Sequence, residues 1–256
     1  MAASLGTLHK RSTAAVLDRL ERDADAIARR MALATQAEVE GYGAVRDPRF
    51  AEEVLAHAAQ HVHAFVATGR VGRPPEGVDL DFVRERGAQR ARELMPLDNL
   101  LEAYLIGQRT VWEAIVDTAG PTPEGMRIAQ ELTGLTFRYT HAINVAIAHA
   151  YLRESEALAS EAERSRRDLL DRLLSGREPG TEEARRAEAL GLSPGAEQVV
   201  VAASAAGGGD EEATGPIVRA LIRQEARTPF VVARHGEVVA IMPAYVRRGP
   251  HELRAA

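Results

Sequence analysis

The sequence predicts a mainly α-helical chain whose C-terminal part changes to α/β, and three observations predict it. Across residues 97–119, Leu97, Leu100, Leu101, Tyr104, Leu105, Val111, Trp112, Ile115 and Val116 recur at three- and four-residue spacing, which gives a helix one apolar stripe. Residues 122–174 keep helical character without a break, and residues 132–152 are apolar on more than one face, as in a central helix packed by several others. Beyond Gly176 the pattern switches to short β-branched runs bounded by glycines, among them Gln198-Val199-Val200-Val201.

The elements follow in order. A first helix is expected over residues 11–39, ended by Gly41 and Gly43. Asp47 can cap a second helix, with Pro48 in its first turn; it should last to Thr68, before a Pro/Gly-rich loop from Gly69 to Gly77. A third helix covers residues 79–94. Pro96 opens the fourth, and Gly120-Pro121 closes it before the fifth begins. After Arg153 charge dominates that fifth helix, leaving a thin seam at Tyr151, Ser155, Leu158, Ala162, Ser165 and Leu169. Alternating spacings of four and three form a heptad pattern. Two readings stay open: a solvated single helix, or a short parallel coiled coil joining two protomers, kept weak by its serines.

Residues 181–190 read as a short helix ended by Gly191. Strands are expected over residues 198–203, 230–233 and 237–242, with a helix over residues 211–226 and a hairpin turn at His235-Gly236. Three strands make a thin sheet, so this second domain is expected to be incomplete within the chain. The expected division is a helical domain over residues 1–152, a linker helix over residues 153–176 and a partial α/β domain over residues 177–256.

Composition narrows the function. With 45% hydrophobic and 27% charged residues, the chain has ample material for a core. A net charge of -5 argues against nucleic-acid contact by these residues. The absence of cysteine excludes disulfides, thiolate metal sites and cysteine nucleophiles. No signal peptide and no membrane-spanning run is read, so a soluble cytoplasmic protein with no membrane partner is expected.

Leu169-Leu170-Asp171-Arg172-Leu173-Leu174-Ser175-Gly176, followed by Ala187-Glu188-Ala189-Leu190-Gly191-Leu192 and the strand at Val199, resembles the start of the degenerate GGDEF-like domain of PucR/CdaR-type transcriptional regulators. The run from Met95 to Trp112 resembles the helical sensor domain that often precedes it, and a similar domain opens the RsbR-type stressosome proteins. The resemblance implies a globin-like or bundle sensor domain, a dimerising middle domain and a small-molecule effector. It also implies DNA binding through a C-terminal helix-turn-helix that these residues do not contain. A homodimer is expected. The alternative is a stressosome-like scaffold that binds other proteins and no ligand.

No catalytic constellation is read, and no cofactor or metal is expected. Gly208-Gly209-Asp210-Glu211-Glu212 is one letter from the signature of diguanylate cyclases, but it follows a strand and opens a helix, where acidic residues suit the positive end of the dipole. The hairpin that would correspond carries Arg234-His235-Gly236-Glu237 instead, which is not a two-metal site. Glu53, His57 and His61 have metal-ligand spacing on the second helix, yet read as a solvated polar face beside the stripe Val54, Ala58, Val62 and Phe65. Tyr104, Gln108, Trp112, His141 and Asn144 are the candidate ligand pocket. The competing account is a core amide and buried histidines, His141 and His149, satisfied by neighbours; a haem ligated by those histidines is the remotest alternative.

Overall fold

The computed structural model describes residues 2–175, 180–190, 192, 197–204, 230–234 and 237–243. It comprises two compact units, Met1–Ala157 and Leu158–Ala256, and the division falls inside one long helix.

The first unit is built from helices α1 (Ala2–Arg22), α2 (Ala24–Glu38), α3 (Glu40–Ala44), α4 (Pro48–Val71), α5 (Asp81–Arg92) and α6 (Leu97–Ala119), with α7 (Pro123–Leu174) running on from it. A 3-10 turn, Gly77–Leu80, precedes α5. The single helix expected over residues 11–39 is therefore two. Asp23 marks the break: its backbone leaves the helical region at φ -94°, ψ 9°, while its carboxylate accepts from Arg19 Nε at 2.6 Å.

Gly41 and Gly43 do not simply end a helix; they lie inside α3, whose Tyr42 is buried. Asp47 accepts the Arg49 backbone N–H at 2.9 Å, so the cap and proline at the start of α4 behave as their residue types dictate. The helix runs through Gly69 and stops at Gly72, whose left-handed φ of 77° is the conformation that favours glycine at a helix end. Gly87 has a different role. A Cβ there would lie 2.7 Å from the Ile147 carbonyl oxygen, so its lack of a side chain lets α5 and α7 approach closely.

Leu20, Phe65, Leu100, Ile115, Ile143 and Ile147 are almost completely buried, and they come from α1, α4, α6 and α7. A second apolar cluster gathers Val39, Tyr42, Phe50, Val54, Met95 and Ile106 where α3 meets the start of α4.

In the second unit, α8 (Thr181–Ala189) precedes strands β1 (Gln198–Ser204), β2 (Phe230–Arg234) and β3 (Glu237–Pro243). The sheet order is β1-β3-β2, antiparallel throughout, with Val201 opposite Ala240 and Val232 opposite Val239. Leu169, Leu170, Ala187, Leu192, Phe230, Val232 and Ile241 form its core. The expected helix over residues 211–226, the Gly208 to Glu212 stretch and the His235-Gly236 turn lie outside the described residues. Among the described residues no helix is long and apolar enough to cross a membrane.

Candidate functional site

Helices α2 to α7 line a partly open cavity of about 70 Å³ within the first unit, room for a few waters. Met31, Val54, Phe65, Val111 and Ile143 give it apolar wall, interleaved with polar side chains.

Two of the polar lining residues lie on α4. His57 and His61 stand one turn apart, with their Nε2 atoms 3.2 Å from each other. His57 Nε2 is also 2.8 Å from the Tyr104 hydroxyl on α6, and His61 Nδ1 is 2.9 Å from the Tyr139 hydroxyl on α7. Tyr139 donates to the His61 backbone carbonyl at 3.2 Å. A hydroxyl has one proton, so Tyr139 then accepts from His61 Nδ1–H. His57 Nδ1–H faces the Gln60 Oε1 acceptor at 3.4 Å, and the bare Nε2 of the neutral ring accepts from the Tyr104 hydroxyl.

Both rings are held neutral. Burial, with the neighbouring Arg86 charge, pushes His61 down to about 3. His57 is lowered well below its ordinary value by burial first, then by His61 and Arg86. Burial likewise raises Tyr104 and Tyr139, so both stay protonated donors.

Two arginines from α5 complete the wall. Arg90 is only 1% exposed; its guanidinium lies 4.3 Å from the centre of the Phe50 ring and its Nη1 pairs with Glu93. Its buried Nε has no hydrogen-bond partner. Arg86 Nη1 donates to Glu53 at 3.1 Å and to Gln89 at 2.9 Å. The guanidiniums are 1% and 15% exposed but the carboxylates of Glu93 and Glu53 are 38% and 44% exposed. The arginines therefore sit deeper in the wall than the glutamates that pair with them. Further hydrogen-bonding capacity is unspent: the Gln108 amide and the Thr35 and Thr140 hydroxyls, which all line the cavity, make no hydrogen bond among the described residues.

Of the five pocket residues named from sequence, Tyr104 and Gln108 line this cavity. Trp112 packs half-buried against the main core and Asn144 is half-buried with its Oδ1 unpartnered, and neither lines the cavity. His141 corrects the expectation of a buried residue. It is exposed with His149 on the outer face of α7, beside Arg84, Val145 and Arg153 in an open groove. The reverse correction applies to His57 and His61, read as solvated: His61 is buried and both line the cavity. A signal was available, since at 100° per residue His61 falls within about 40° of Val54 and Phe65 and so belongs to the buried stripe. Arg86, Arg90 and Tyr139 were also missed; nothing in the local pattern marks them. Among the described residues, no group of three His, Asp or Glu could hold a metal.

The seam divides between the units. Tyr151 donates to the Met95 carbonyl at 2.8 Å within the first unit, and Leu169 is buried in the core of the second. Ser155, Leu158, Ala162 and Ser165 are half-buried.

Residues 25–166, more than half of the chain, match the model of the RsbT co-antagonist protein rsbRD N-terminal domain. The chain belongs to this family. The cavity of the RsbRD N-terminal domain is thus made wholly of residues inside the matched region. Residues 175–256 match the GGDEF-like domain, which takes in α8 and the three strands that follow the RsbRD domain. No curated protein and no solved structure matches the chain.

Proposed function

We propose that this chain is the signal-sensing and dimerising part of a bacterial transcriptional regulator of the PucR/CdaR type, acting in the cytoplasm without catalysis. The observation that carries the reading is the cavity with its unspent polar groups: Gln108, Thr35 and Thr140 line one small space and make no hydrogen bond among the described residues. Buried polar groups are ordinarily satisfied, so such a concentration is the mark of a site completed by something that enters it. The tandem of an RsbRD domain and a GGDEF-like domain supports a regulatory rather than enzymatic role.

Helix α7 offers the relay. Tyr139, Thr140 and Ile143 form part of the cavity wall, and Leu169 and Leu170 of the same helix are buried in the second unit's core. A ligand that prefers one placement of α7 shifts the population toward it. The half-buried seam residues Ser155, Leu158, Ala162 and Ser165 are where a second protomer would read the change.

Native mass spectrometry of the purified chain tests this. A dimer carrying a small molecule, or binding one saturably, is the expected result, and Ser155→Leu with Ser165→Leu should tighten the dimer. A bare protein whose dimer is indifferent to those substitutions would favour a scaffold that binds proteins and no ligand. Turnover of GTP with Mg²⁺ that is lost in Glu211→Ala would make it an enzyme instead.

A further inference from the structure

We propose that the cavity binds a small organic anion, a carboxylate of about two to four carbons. The inference rests on the reading of the cavity as a ligand site and adds the class of ligand.

Size sets the first limit. About 70 Å³ holds only a handful of non-hydrogen atoms, the size of acetate to butanoate. Charge sets the second. Arg86 and Arg90 are sunk into the wall while Glu53 and Glu93 reach toward water, so a cation would meet repulsion and an anion attraction. The histidines between them are neutral and do not reverse that sign.

Hydrogen bonding sets the third. The Gln108 amide and the Thr35 and Thr140 hydroxyls line the cavity and make no hydrogen bond among the described residues. A carboxylate accepts from such donors, and charge-assisted bonds of this kind are about twice as strong as neutral ones. Val54, Phe65 and Ile143 face the same space and suit a short alkyl chain better than a second charged group. A multiply charged oxyanion would leave oxygens against these apolar atoms.

The test is isothermal titration calorimetry of the whole chain with acetate, propanoate and butanoate, each beside its neutral amide, at constant ionic strength. At least one carboxylate should bind about tenfold or more tightly than the matching amide, since the amide lacks the charge that two guanidiniums recognise. Arg86→Gln should remove most of that preference, and Gln108→Leu should weaken the carboxylate several-fold. If the amides bind as well as the carboxylates, or a neutral molecule co-purifies in the cavity, the anion assignment falls and the sensor reading stands. If neither class binds and native mass spectrometry finds the protein bare, both fall. The comparison in the unaltered protein decides the matter even where a variant fails to fold.

Discussion

Two pairs of histidines occupy the same helical domain in opposite surroundings. His57 and His61 on α4, their own ring centres 4.7 Å apart, face Tyr104, Tyr139 and Phe82. His141 and His149 on α7 face out beside Arg84 and Arg153. Both pairs sit on long helices with apolar stripes, so the helix that carries a histidine does not set its environment. The helices packed against it do. Here α6 and α7 bring tyrosine hydroxyls to α4, and α5 brings two arginines, whereas the outer face of α7 carries its histidines exposed.

The comparison can be broken in three ways, the first with the largest effect. Below pH about 6.5 the unfolded chain protonates its histidines, but folded His61 resists until about 3. His57 is also held neutral well below 6.5. Unfolding therefore takes up protons, and stability should be full above pH about 6.5 and fall as acid is added, by roughly 1 kcal/mol per pH unit for each histidine. Urea titrations between pH 7 and 5 should show this slope, and His57→Gln with His61→Gln should flatten it. An unchanged slope in that double variant would mean the pair is not held neutral by burial.

Next in size, Tyr139→Phe removes the donor to the His61 carbonyl and leaves His61 Nδ1–H unpartnered in a buried place. A loss of about 1–2 kcal/mol is expected in denaturant unfolding. A variant as stable as the parent would show that the proton chain is not formed. Smallest of all, His141→Ala and His149→Ala should each shift stability by less than about 0.5 kcal/mol, because both side chains are exposed. A loss several times larger would place them in an interface.

Local chemistry made much of the fold legible. Asp47-Pro48 at the start of α4, Pro96 ahead of α6, the uninterrupted run of α7 and the three β-branched strands all follow from rules that act within a few residues. The break at Asp23, the short helix through Gly41 and Gly43, and the end of α4 at Gly72 rather than Gly69 were not read, because a glycine ends one helix and lets another pass close to its neighbours.

The site divides along the same line. Tyr104 and Gln108 were legible because an uncommon amide within a strong apolar stripe stands out in a single helix. Arg86, Arg90 and Tyr139 were not, since separate helices supply them and each looks unremarkable alone, whereas His61 carried a signal in its place on the α4 stripe. The sequence by itself determined where α4, α6 and α7 begin, where the three described strands run, and that no cysteine chemistry is possible. Only the tertiary structure decided which polar side chains are buried together, because that depends on which faces of α4, α5, α6 and α7 meet. Periodicity fixes the faces of one helix, and packing chooses the partners.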